Sequence, residues 1–248
     1  LFPTIFDIII HSEPSFFKEL KIILGLILLD LFELLSPIKL SIQVALVSLF
    51  FVSISGVLTA KLMVRKNFTG KVMVETCLLL PLVLPPTVIG FLLVYIFGGN
   101  SWVGKVMESI FHSSLMFTWW AAVISSTVVA FPLMYQTAKT GFLSMDKEVE
   151  DAARVDGAGE WYVFFKVTLP LSYKALLAGV ILSFARALGE FGATLMFAGN
   201  IPGKTQTAPT AIYVALESGN IKQAWILVFS MVLISFVMLF FTTKLNRK

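Results

Sequence analysis

Residues 151–170 read DAARVDGAGEWYVFFKVTLP, a polar island in a chain whose other long stretches are apolar. A membrane span has no use for such a segment, whereas a membrane channel driven by a separate soluble motor needs one. Composition sets the background. Of the 248 residues, 57% are hydrophobic and 14% charged, well below the roughly 25% charged residues of soluble domains, so the chain reads as a polytopic membrane protein. Its net charge of +4 comes from basic residues at the ends of apolar runs, a distribution that orients a membrane protein and does not call for nucleic acid. Cys77 is the only cysteine and lies in an apolar run, which excludes an intrachain disulfide.

Five segments, 40–60, 77–97, 115–138, 175–198 and 224–243, approach the roughly 20 residues that a spanning helix needs. Only the fourth contains Asp, Glu, Lys or Arg. An unpaired backbone N–H or C=O is costly in hydrocarbon, so every span is predicted to be helical. The fold class is therefore an all-α bundle of five core transmembrane helices, the membrane domain occupying residues 38–248. Residues 1–37 form an extension in which 16–35 reads either as an interfacial helix or as a sixth span, because Lys18, Glu19, Lys21, Asp30 and Glu33 interrupt its apolar run. The opening Leu1-Phe2-Pro3 has no basic region, so a signal peptide is not expected.

Loop charges orient these spans consistently. Lys61, Arg65, Lys66 and Lys71 flank the first loop, Lys139, Lys147, Arg154, Lys166 and Lys174 the third, and Lys244, Arg247 and Lys248 the tail. The intervening loops carry only Lys105, Lys204 and Lys222. By the excess of Lys and Arg on cytoplasmic loops, the first and third loops and the C-terminus face the cytoplasm.

The island is predicted to be a bent helical hairpin over 146–170. Asp146 is placed to cap a helix whose first turn holds Glu148 and Glu150, favourably near its positive end. Asp156-Gly157-Ala158-Gly159 supplies a turn, and Trp161, Phe164, Phe165 and Thr168 then recur at helical spacing to give an apolar face opposite Glu160, Tyr162 and Lys166. Leu169-Pro170 is expected to end the second arm. Small residues around the turn permit close backbone approach by a partner, and the aromatic face is expected to hold the hairpin to the membrane domain.

Residues 198–205, AGNIPGKT, imitate a phosphate-binding loop with Ala in place of the first Gly. Pro202 removes an amide donor, a membrane helix precedes the run instead of a strand, and the loop lies on the face opposite the cytoplasm, all of which argue against nucleotide. Energy must come from another chain. In the fourth span Arg186 and Glu190 stand four apart, close enough to neutralise each other, either as a self-satisfied pair or facing a pathway. Pro81, Pro85 and Pro86, with Thr87 after them, are expected to break the second span and let its carbonyls line a cavity. His11 and His112 have no metal-ligand spacing around them, and no hydroxyl has a base placed to activate it.

These motifs carry a resemblance. LPLVLPPTVIGFLLVYIFG at 80–98, FPLMYQTAKTGF at 131–142, the island, and ARALGEFGATLMFAGNIPGKTQTAPTAIYVALESG at 185–219 are similar to the permease subunit of molybdate importers of the ATP-binding cassette (ABC) class. Sulfate and thiosulfate permeases resemble it over the island and 185–190. In the family the first position of the island is usually Glu; here Asp151 stands there, with Glu150 just before it. The resemblance implies a permease homodimer in the cell membrane, two ATPase subunits that carry ATP and Mg, and an external molybdate-binding protein that delivers molybdate or tungstate. This chain is then non-catalytic and holds no cofactor or metal.

Glu150, Asp151, Ala152, Ala153, Gly157, Ala158, Gly159, Phe165, Leu169 and Pro170 are implied as the knob seated in the ATPase. Asn200, Pro202, Gly203 and Lys204 are implied to face the binding protein. A tetrahedral dianion would be trapped by a strongly cationic path but stabilised transiently by hydroxyls, amides and positive helix ends. Pro85, Pro86, Thr87, Ser183, Arg186, Glu190 and Thr194 are the candidates for path or gate. A membrane enzyme would need a nucleophile and base that the sequence lacks, and a secondary transporter would need no knob and would commonly show an internal repeat.

Overall fold

The computed structural model describes residues 15–246, and every regular element among them is a helix. Residues 1–14, with His11 and the start of the expected extension, and Arg247 and Lys248 of the basic tail lie outside the described residues. Helix α1, Ser15–Arg65, runs for 51 residues through Pro37 without a break. Its part Leu34–Arg65 is long and apolar enough to cross a bilayer, as are Trp119–Leu143 and Ile221–Phe240.

The second expected span is broken, but by two prolines and not three. Helices α2, Lys71–Val83, and α3, Pro86–Phe97, meet at 115°. Proline pushes the residue before it into extended backbone, and two such residues fall in a row here: Leu84 at ψ 141° precedes Pro85, and Pro85 at ψ 138° precedes Pro86. Pro81 stays inside α2. A single proline can be carried within a membrane helix when its neighbours re-satisfy the backbone.

After the short helix α4, Trp102–Phe111, the chain enters α5, Trp119–Leu143, the centre of the bundle. Thr118 caps α5 by accepting from the Ala121 amide at 3.3 Å. Beyond it come α6, Lys147–Val155; α7, Glu160–Leu171; α8, Tyr173–Leu188; α9, Gly192–Phe197; α10, Ala208–Glu217; and α11, Ile221–Asn246. The expected fourth span, 175–198, is therefore two helices. Helix α8 stops at Leu188 because Glu190 turns its carboxylate to the start of α9, accepting from the Ala193 amide at 2.8 Å.

Close packing on α5 explains why its neighbours carry glycine. A Cβ on Gly179 of α8 would stand 2.2 Å from Thr137 Oγ1 and 2.8 Å from Met134 Sδ, and one on Gly56 of α1 would stand 2.9 Å from Met134 Cγ. Small residues let membrane helices approach this closely without an apolar driving force between them. Ser48 of α1 donates to the Val123 carbonyl of α5 at 3.0 Å, adding a buried polar tie. By contrast α11 turns Phe229, Val232, Leu233 and Phe236 outward.

The two ends of α5 separate two sets of loops. At its start the Phe117 amide donates to the Phe197 carbonyl at 3.2 Å, joining 98–118 to 198–207. At its finish Phe142 meets the Phe164 ring at 6.4 Å, so the loop after α1 and the segment 144–171 share the opposite end. Replacing Gly179 by Val should cost about 1–3 kcal/mol by overpacking, read as a lower unfolding temperature in detergent. Gly159→Ala, where the added Cβ meets nothing within 4 Å, should leave that temperature unchanged.

Candidate functional site

The polar island folds as the hairpin its sequence predicts, but different groups hold it. Asp146 caps α6 by accepting from the Glu148 amide at 3.0 Å, and the turn is made at Gly157, whose φ of +86° suits glycine. Nothing lies within 4 Å of a Cβ built at Gly157 or Gly159, so the tip of the knob is open. Ala152 is exposed, and Ala153 and Ala158 are half-buried.

The expected apolar face is buried only in part, at Phe164 and Thr168. Between Phe164 and Thr168 the helix makes a π-turn, so the residues that reach the core are Val163, Phe164 and Thr168, while Trp161 and Phe165 stack on each other outside at 6.1 Å. The wider turn rotates the following residues and breaks the regular helical spacing. Leu169-Pro170 lies at the end of the arm, as expected, to within one residue. Helix α7 continues to Leu171, and the chain bends 76° into α8 at Ser172.

A charged network ties this hairpin to the end of α1. Glu150 is its hub: Thr168 donates its hydroxyl to the carboxylate, Arg154 Nη2 reaches it at 2.9 Å, and Lys61 Nζ at 3.3 Å. Lys61 also donates to Thr168 Oγ1 at 3.1 Å and stands 5.0 Å above the Phe164 ring. Arg154 extends the network to Asp151 at 2.6 Å and Glu160 at 3.1 Å, and Arg65 reaches the same Glu160 oxygen at 2.6 Å. Together these groups line a cavity of about 390 Å³ between the end of α1, α6 and α7.

Burial works against the Glu150 carboxylate, yet the Thr168 hydroxyl, Arg154 and Lys61 outweigh it and hold the carboxyl below its ordinary value. The Arg154 guanidinium is correspondingly raised, chiefly by its hydrogen bond to Glu150. The acidic position that carries structural weight is therefore Glu150, not the exposed Asp151. Sequence reasoning assigned Lys61, Arg65 and Arg154 to membrane orientation and missed their pairing. Their register against Glu150 and Glu160 depends on how the spans pack, and no local pattern carries it.

The path candidates fall into three groups. The two breaks meet: a Cβ on Gly192 at the start of α9 would stand 2.8 Å from Pro86 Cβ and 3.6 Å from the Thr87 nitrogen. Pro85, Pro86 and Thr87 are exposed at this junction. One turn away, Arg186 Nη1 lies 2.7 Å from Glu190 Oε2, an ion pair in which that oxygen lacks an aligned hydrogen bond. Thr194 is fully buried with its hydroxyl unpartnered, and Ser183 is fully buried, donating to the Ala130 carbonyl at 3.4 Å. These last two lie within the packed bundle.

At the other end, Pro202, Gly203 and Lys204 are exposed in a turn, while Asn200 is half-buried with Oδ1 unpartnered. The amides of Lys204, Thr205 and Gln206 all point to the Ile201 carbonyl at 2.9–3.1 Å. Amides closed on their own turn do not cradle a phosphate.

The sequence profile of the family described as binding-protein-dependent transport system inner membrane component matches residues 52–248. The chain belongs to that family. YvgM of Bacillus subtilis, which carries a provisional molybdenum transport system permease name, is 60% identical over 209 residues, 84% of this chain and 92% of YvgM. The Haemophilus influenzae molybdenum transport system permease protein ModB is 42% identical over 215 residues, 86% of this chain and 94% of ModB. The Escherichia coli sulfate permease CysT is more distant, 31% identical over 216 residues, 87% of this chain and 78% of CysT.

Among solved structures, a chain of the MetNI methionine ABC transporter matches with TM-score 0.66 and 16% identity, covering 88% of this chain and 96% of that one. A chain of a bacterial alginate ABC transporter, solved with a periplasmic protein holding an alginate pentasaccharide, matches with TM-score 0.68 and 16% identity, covering 86% and 78%. Both are likenesses of fold. A polytopic helical permease fold is thus common to this chain and to its structural neighbours.

The hub predicts a specific failure. Glu150→Gln keeps the shape and removes the charge, so residues 147–171 should exchange amide hydrogens about tenfold faster or more, following the 1.5–3 kcal/mol of a hydrogen bond to a charged group. Because the carboxyl is held below its ordinary value, its stabilisation is present above the free glutamate value of about 4.3. It is lost as pH falls through the lower folded value. The unmodified chain should therefore approach the exchange of Glu150→Gln only in acid.

Proposed function

We propose that this chain is the membrane-spanning subunit of an ATP-driven importer for a tetrahedral oxyanion, molybdate or tungstate. Two copies form the channel, a pair of separate ATPase subunits supplies the energy, and an external binding protein delivers the cargo. The observation that carries this reading is the open-tipped hairpin clamped to α1 through Glu150: a knob free on one side and rigidly tied on the other transmits force. Its exposed face, with Asp151, Ala152, Gly157, Gly159 and Phe165, seats in the ATPase together with Ala158 at the turn, while half-buried Ala153 and Leu169 shape the arms behind it.

The loop basic residues support an orientation in which this end lies in the cytoplasm with the ATP. The turn at Asn200 to Lys204 then faces the binding protein. The geometry of the site supports alternating access. Motion applied at the knob passes through the Glu150 network to α1 and through Ser172 to α8, whose far end carries Arg186 at the junction of the two breaks.

Cargo is argued from kinship, since relatives with molybdenum names match at 33–60% and reach 60% in YvgM, while sulfate permeases match at 31–35%. Molybdate, tungstate and sulfate share shape and charge and differ mainly in size. The complex reconstituted in liposomes with its ATPase and binding protein should accumulate labelled molybdate and tungstate in an ATP-dependent manner. Accumulation of sulfate alone would replace the cargo and keep the importer.

A further inference from the structure

The Arg186–Glu190 pair is lopsided. Glu190 is enclosed, its side chain 1% exposed, with Oε1 taken by the Ala193 amide and Oε2 facing Arg186 Nη1 at 2.7 Å. Arg186 is 30% exposed, and among the described residues only that one edge of its guanidinium is engaged. A pair serving only to hold helices together has no need to leave the cation half open.

Its depth and surroundings say what the open edge meets. Arg186 lies 13 residues beyond Tyr173, the start of α8, which at 1.5 Å per residue is about 20 Å along the helix. At such depth a charge facing lipid is expensive. Of the exposed residues beside it, Ala185 and Gly189 are small and Leu182 is not, whereas the outer face of α11 carries Phe229, Val232 and Leu233. Small residues at membrane depth suit a protein or aqueous neighbour rather than lipid.

We propose that Arg186 is a cargo-contacting residue, its open guanidinium edge binding a tetrahedral oxyanion in passage while Glu190 holds the other edge. The proposal rests on the oxyanion-importer reading above. A planar guanidinium matches two oxygens of such an anion. Alone it would retain a dianion; paired with a buried carboxylate it carries less net charge and releases the ion, as conduction requires. Glu190 is the positioning residue, fixed by the Ala193 amide.

The test uses the whole complex in liposomes and counts oxyanions accumulated per ATP hydrolysed. Arg186→Gln leaves the Glu190 charge buried without its cation and should assemble poorly. R186Q/E190Q removes both charges, while the carboxamide oxygen that replaces the Glu190 carboxylate can still accept from the Ala193 amide, so the complex and its ATP hydrolysis should return. Accumulation per ATP should stay about tenfold or more below the unmodified complex, the scale of a charged hydrogen bond. Arg186→Lys, which keeps the cation, should recover part of that ratio. A double variant that transports within about twofold of the unmodified complex, or one that fails to assemble, would overturn the proposal in favour of a purely structural pair. Unmodified liposomes that accumulate none of molybdate, tungstate and sulfate would remove the importer reading and this proposal with it, an outcome distinguished by needing no substitution.

Discussion

A half-buried carboxylate with three donors around it ties the hairpin to the first span, and the coupling proposed for this chain depends on that tie. Glu150 belongs to α6, Arg154 to the same helix, Thr168 to α7 and Lys61 to α1, so one anion joins both arms of the hairpin to the first span. Isolated exposed ion pairs contribute little. Here the groups are partly shielded and share partners, and removing the hub would leave Lys61 and Arg154 facing each other without their common counter-charge. Everything proposed for the knob depends on this tie.

The other organising constraint is the cost of unpaired backbone in hydrocarbon. Both interrupted spans break where a local device forces or satisfies the backbone: consecutive prolines at Leu84-Pro85-Pro86, and the Glu190 carboxylate at the start of α9. The breaks then pack on one another through Gly192 and Pro86. Irregular backbone at membrane depth is tolerated where it is buried in protein or lines a cavity, which supports the path proposed at this junction. The Arg186–Glu190 pair sits beside it.

Much of this was legible in the sequence, for physical reasons. Apolar runs located the spans because bilayer thickness fixes their length, Asp146 and Gly157 announced a cap and a turn, and the spacing of Arg186 and Glu190 announced their pairing. What failed were statements that assumed regular helices. Of the face expected at Trp161, Phe164, Phe165 and Thr168 on 3.6 residues per turn, Phe164 and Thr168 are buried and Trp161 and Phe165 are not, in a stretch where a π-turn at Phe164–Thr168 alters that register. The fourth span was taken as continuous through 175–198, where a side chain, not a proline, ends the helix. The Glu150 network joins residues 89 and 107 positions apart, a distance at which periodicity carries no information.

The central claim is that the hairpin tip engages the motor and the far loop does not. A photo-cross-linking side chain placed at Ala158, and separately at Lys204, in the assembled complex tests it directly. Ala158 should capture the ATPase subunit and Lys204 the external binding protein. Capture of the binding protein from Ala158, or of the ATPase from Lys204, would contradict the account.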